Sequence, residues 1–395
     1  MALLYGGAGR STSQNGDFRP GQMAKVQVLH LSPSSLRSLS RGLMEIAGLL
    51  CDIRSFCARH GGGMQYGTAT SSRTTEAFAE AVNQVMEVYA RWLMDLENDL
   101  CGATSFSKAR GRDGSLLRLC AESRRLGEDA RAIDAIMRHS RVTGSKYESG
   151  SNSSFAAATI RLLDVLYHAT QRQDDVTTAH SAAHLPLRLL LHALRPSVHM
   201  LDEWLSHGRI NDPESEFFLS ASADAGLRSE EFWLSGFHFR HPERPGCVPE
   251  VFAPAGKSIL TCGKSAHLMC GDDGFAVDMV DRRDDLRRIF DAFASTLLEP
   301  GGADTARAPF GLLWTRHVVE PVIDRCAQVS RSLVTRCLMT LRLTDHLSAV
   351  RGIFFMGSGH AMNEFCVFCF QKLRHQKHWH DYHICPGPPA AVKWP

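Results

Sequence analysis

The stretch ALRPSVHMLDEWLSHGRINDPESEFFLS, Ala193–Ser220, reads from left to right as a helix, its end, a turn and a strand. The helix is expected over 184–207, bent or split near Pro196, whose missing amide removes a helical hydrogen bond. Trp204 is placed to anchor the helix in a core. Gly208 supplies the backbone conformation that ends a helix, Asp212 and Pro213 make a turn, and Phe217 starts a strand. A strand partner follows. The segments Glu216–Ser222 (EFFLSAS) and Glu231–Arg240 (EFWLSGFHFR) are short and aromatic, separated by a polar run containing Gly226, so a small hairpin inserted among helices fits.

Upstream of this stretch the pattern is helical. Ser32 and Pro33 fit the cap and first residue of a helix whose face is Leu36, Leu39, Leu43, Ile46, Leu50, Ile53 and Cys57, closed by Gly61, Gly62 and Gly63. The stripe Phe78, Val82, Val85, Tyr89, Trp92, Leu96 and Leu100 keeps a three-four spacing among polar residues. Further helices are expected at 115–139 and 155–171. Downstream, the Pro-rich 240–256 reads as a surface loop, and a helix with Leu286, Ile289, Phe290, Phe293 and Leu297 on one face stops at Pro300. New apolar faces follow in Val318, Val322, Val329, Leu333, Leu341, Leu347, Val350 and Phe354.

These readings give a mainly α fold: an elongated stack of helical bundles with a small β-hairpin insertion. The expected organisation is a disordered segment at 1–24, a helical domain at 25–299, a linker at 300–310, a second helical unit at 311–373 and a divergent, disordered tail at 374–395. Composition narrows the function. With 44 Lys and Arg against 42 Asp and Glu, a formal charge of +2 gives no global attraction to nucleic acid or to an anionic membrane, and protein partners are expected. The run Leu185–Leu194 is broken by Pro186, Arg188 and His192, well short of the ~20 residues that cross a bilayer. The twelve cysteines lie far apart, the start lacks a secretory pattern, and reduced thiols in a cytosolic chain are expected.

The opening stretch resembles a signature of the first conserved motif of gamma-tubulin complex components: a helix ending in D-E-W, a turn, G-R-x-x-D-P and an aromatic strand. The motif residues are Arg195, Pro196, Asp202, Glu203, Trp204, His207, Gly208, Arg209, Asp212, Pro213, Phe217 and Phe218. Similarities continue in order: Trp233 in the returning strand, Gly263 and Lys264 in ILTCGKSAHLM, and a second-motif opening at Val318–Phe355. Within the family, R-P-x-x-x-x-x-D-E-W-x-x-H-G is similar to the component 5 branch. The resemblance spans 25–373. It implies a lateral-contact domain at 25–299 and the beginning of a gamma-tubulin-binding domain at 311–373, truncated because family members continue for several more helices. Gamma-tubulin and sister complex components are the implied partners, without a cofactor, at the cytoskeleton and a microtubule-organising centre such as the centrosome or spindle pole. Phe78, Val82, Val85, Tyr89, Trp92, Val318, Pro321 and Val322 are candidate partner-interface residues. A stripe serving only the domain's own core is the commoner alternative.

Other chemistries find less support. Cys366 and Cys369 form a C-x-x-C followed by His375, His378, His380, His383 and Cys385, but CVFCF places both thiols on an apolar helix and the histidines lack a fixed spacing. Gly263-Lys264-Ser265 ends like a phosphate-binding loop, yet position 258, where that loop needs glycine, is Ser258. Val251 fails likewise before Gly256-Lys257-Ser258. The acid pairs Asp174–Asp175 and Asp284–Asp285 sit among arginines or polar loop residues, and no Ser, His and Asp set with a glycine elbow occurs. An enzyme is not expected. A generic helical scaffold is the alternative reading, although no fixed repeat period appears.

Overall fold

A computed structural model of the chain describes residues 32–61, 72–102, 116–140, 153–174, 185–222, 231–240, 246–270, 286–298 and 308–374. Among them are eleven α-helices and one two-stranded sheet. The expected disordered start, the tail and its histidines, and most of the 300–310 linker lie outside the described residues. The chain divides into two compact units, Met1–Ala327 and Gln328–Pro395.

In the first unit, α1 (Pro33–His60) begins as its sequence predicts: Ser32 Oγ accepts the Ser35 amide at 3.1 Å, with Pro33 in the first turn. It buries Ile46, Leu50, Ile53 and Phe56. The second helix, α2 (Arg73–Gly102), buries Phe78, Val82, Val85 and Leu96. Then come α3 (Leu116–His139), α4 (Ser153–Asp174) and α5 (Leu185–His207). The last is the hub, packing against α2, α4, α6 (Gly256–Cys270) and α7 (Leu286–Leu298). Because neighbours cover it on several sides, it carries apolar residues around much of its circumference.

Three expectations are corrected here. The helix α5 is not split: it runs unbroken through Pro196, and the neighbours packed along it hold it together where the missing amide removes one bond. The hairpin is shorter than its aromatic pattern. Only β1 (Leu219–Ala221) and β2 (Phe237–Phe239) pair, antiparallel with Leu219 opposite Phe239, so Phe217 precedes the strand and Phe232–Gly236 forms a π-turn before the return. Within 240–256, the described part is more than surface loop. Val251 and Phe252 are buried, and the 3₁₀ turn Ala253–Ala255 leads into α6.

A second aromatic cluster closes this unit. The helix α8 (Phe310–Trp314) runs through a π-turn at Thr315–Val319 into α9 (Glu320–Met339). Trp314 is 1% exposed, donates its indole N–H to the Val251 carbonyl at 2.8 Å, and contacts the rings of Phe252, Phe290, Phe293 and Phe310. The chain from Phe310 to Ala327 therefore belongs to the first compact unit.

The described part of the second unit comprises the end of α9, α10 (Leu343–Ile353) and α11 (Gly359–Arg374). Val329 is its one buried apolar side chain among the described residues. No residue of α10 is buried.

Candidate functional site

The residues of the D-E-W and G-R-x-x-D-P run converge where α5 ends. Trp204 is fully buried, donates its indole N–H to the Ile259 carbonyl of α6 at 2.9 Å, and lies 4.7 Å, centroid to centroid, from the Phe237 ring of β2. Gly263 makes room for it: a Cβ there would sit 1.8 Å from the indole. One turn on, Gly208 adopts φ +62° and donates its amide to the Trp204 carbonyl at 2.9 Å, an αL helix stop. A side chain at Gly208 would meet the His267 backbone at 2.3 Å, and His267 Nδ1 donates to the Gly208 carbonyl at 2.8 Å. The His267 ring in turn stacks on Phe232. Two glycines thus let α5 and α6 approach with an indole between them.

The charged half of the motif faces α7 instead. Asp202 Oδ1 accepts the Leu286 amide at 3.2 Å, capping the first turn of α7, while its other oxygen lies 3.0 Å from Arg287 Nε. Glu203 reaches the same guanidinium at 3.6 Å, and Arg195 stands 3.9 Å from Asp291. A shallow cleft of about 350 Å³ lies between these helices, bordered by Arg195, His199, Arg287 and Asp291. Among the described residues, Asp202, Glu203 and Asp291 already face its arginines and offset their charge.

Beyond the helix, Asp212 organises the turn. Its side chain is 2% exposed; it accepts the Glu216 amide at 2.8 Å and the Phe217 amide at 2.9 Å, and it pairs with Arg240 Nη2 at 3.0 Å. Arg240 also donates Nε to the Phe217 carbonyl at 3.1 Å, so one ion pair closes the open end of the hairpin. From the same turn Glu216 accepts the Thr74 amide in the first turn of α2 at 3.0 Å. Burial raises its pKa, opposed by that amide bond. Glu214 meets Arg73 at 3.2 Å. The turn therefore fixes the hairpin and the start of α2 together.

The remaining sequence-selected residues fall into two groups. Phe217, Phe218 and Lys264 are buried, whereas His207, Arg209 and Pro213 are exposed and Pro196 is half-buried. Lys264 donates Nζ to the Trp233 carbonyl at 2.7 Å, and burial lowers its pKa. Trp233 itself is 44% exposed. Gly263-Lys264-Ser265 lies in mid-helix with Gly263 covered by Trp204, a position no phosphate can reach. Of the interface candidates, Phe78, Val82, Val85, Val318 and Val322 are buried in the first unit, while Tyr89, Trp92 and Pro321 are half-buried. Tyr89 donates its hydroxyl to Asp129, the two groups linking α2 to α3. Cys366 and Cys369 lie one turn apart on α11.

Sequence reasoning did not single out Glu216, Arg240 or His267. Each acts across the fold, and nothing local to any of them marks it. What the arrangement does is mechanical: its hydrogen bonds and packing join α2, α5, α6, α7 and the hairpin.

Residues 4–340 match the gamma tubulin complex component N-terminal family. A stretch of 77 residues is 30% identical to gamma-tubulin complex component 5 of Macaca fascicularis, covering 19% of this chain and 11% of that protein.

Proposed function

The chain belongs to the gamma-tubulin complex component family, and on that premise we propose that it is a non-enzymatic scaffold subunit of a gamma-tubulin ring complex. The observation that carries this reading is the family match over 4–340, whose span contains the α5–α6–hairpin joint. A scaffold that templates a fixed arc needs each subunit to hold its shape, and the joint ties together helices distant in sequence. Residues 25–299 would sit beside the same domain of sister components. Repeated head-to-tail contacts with a fixed rotation and rise then build a helical assembly. Residues 311–373 would begin the part that holds gamma-tubulin, and the assembly would nucleate microtubules at a microtubule-organising centre.

With Tyr89 turned onto Asp129, the half-buried Trp92 and the exposed Val88 and Arg91 form the edge of α2 we assign to such a lateral contact. Co-expression with full-length sister components, followed by size exclusion, tests the proposal. Co-elution with a sister component supports it. A folded chain that elutes alone at every ratio removes it.

A further inference from the structure

We propose that Cys262 of α6 and Cys326 of α9 are an oxidation site, a thiol pair that hydrogen peroxide converts reversibly into a disulfide. This goes beyond the scaffold role and does not depend on it. Both cysteines are free; Cys262 is fully buried and Cys326 is 3% exposed. They come from different helices of the first compact unit, and their side chains are hydrogen-bonded to each other. A single buried cysteine is an inert apolar group. Two in contact are not equivalent to that, because the sulfurs need only close from hydrogen-bond distance to the ~2.0 Å of a disulfide.

The hydrogen bond assigns the roles. It and burial together push the Cys262 thiol well above its ordinary pKa, while the positive charge of Arg325 opposes the shift. Cys262 therefore keeps its proton, and Cys326, which accepts that bond, is the sulfur that reacts first, as the thiolate. A cavity of about 20 Å³, room for one water, is lined by Val322 and Arg325 and gives a small oxidant a place one turn from Cys326. The Cys326 sulfur attacks one peroxide oxygen, the O–O bond breaks, and the departing hydroxide takes up the Cys326 proton as water. The Cys262 sulfur then attacks the sulfenic acid, its S–O bond breaks, and the hydroxyl leaves with the Cys262 proton as a second water. Two thiols are oxidised, one peroxide is reduced, and one disulfide results.

The bond fastens α9 to α6 beside the boundary at Gln328. To test it, the full chain, purified reduced, is treated while folded with hydrogen peroxide, then quenched with iodoacetamide in urea and digested without reductant. The expected product in mass spectra is a Cys262–Cys326 peptide pair, two hydrogens lighter than its reduced parts and split by dithiothreitol. Because the crosslink closes a long loop, the thermal midpoint should rise by roughly 5 °C on oxidation and fall back on reduction. Cys326→Ala and Cys262→Ala should each lose the linked pair and the rise. The proposal is overturned if the two cysteines of the treated parent are recovered alkylated, as sulfinic acids, or paired with other cysteines. A linked pair that forms only when peroxide is added in urea overturns it too, since the folded chain would then not hold the thiols together. An unchanged midpoint in the linked chain overturns the fastening of α9 to α6.

Discussion

Replacing Gly263 by alanine should damage the protein far more than a single methyl normally does. The new Cβ would lie 1.8 Å from Trp204 Cε2 and 2.2 Å from Cζ2, against ~3.5–4 Å for ordinary carbon contact. The indole, fully buried and bonded to the Ile259 carbonyl, must retreat by well over an ångström. Overpacking of this kind costs ~1–3 kcal/mol. Breaking the indole bond in the core adds ~1–3 kcal/mol, and the better helix propensity of alanine returns ~1 kcal/mol. The net expectation is a loss of roughly 3 kcal/mol. Gly48→Ala on α1, where nothing lies within 4 Å, provides the control and should stabilise by up to ~1 kcal/mol. Urea titration followed by circular dichroism measures both. If Gly263→Ala falls within ~0.5 kcal/mol of the parent, the indole does not rest on Gly263 and the proposed joint is wrong.

Other substitutions test the remaining links. Asp212→Ala removes the buried partner of Arg240 and the acceptor of two amides, and a loss of about 3 kcal/mol in the same titration is expected. Trp314→Phe strands the Val251 carbonyl and should cost ~1–3 kcal/mol, whereas an unchanged midpoint would show that the indole bond does not matter. Burial raises the Asp164 carboxyl to about 6, with the Glu250 charge adding to the effect and the Glu250 amide opposing it. The folded state then holds a proton that the unfolded chain, at ~3.9, releases, so this group's stability is present below pH ~4 and lost as pH rises through about 6. Asp164→Asn should therefore be more stable than the parent at pH 7.5 and show a flatter melting-temperature profile between pH 4 and 6.5, and parallel profiles would contradict this.

What could be read from the sequence were the features with local causes. Gly208 and the Asp212–Pro213 turn were legible because a helix stop and an Asp-anchored turn are written in adjacent residues. The faces of α1 and α2 were legible for the same reason, since periodicity marks a buried side. Periodicity does not say what covers that side. Val318 and Val322 carry the right spacing for a face, but only the structure shows them closed against the first unit. The Glu216–Thr74 bond spans 142 positions and the Trp204–Ile259 bond 55, and no local pattern encodes either. Aromatic richness overstated the returning strand, because Phe232 and Trp233 serve a π-turn that brings Phe232 onto His267. Pro196 could be read as the place where a helical hydrogen bond is lost, but not that the packing of α5 keeps the helix from splitting there.

The central claim is that this chain occupies a place beside sister components. Affinity capture of the tagged full chain from cytosol, probed with antibodies to sister components and to gamma-tubulin, tests it most directly. Recovery of sister components is the predicted result, and it should fall sharply with Gly263→Ala as the joint gives way. A well-folded, helical chain that recovers neither sister components nor gamma-tubulin would contradict the account.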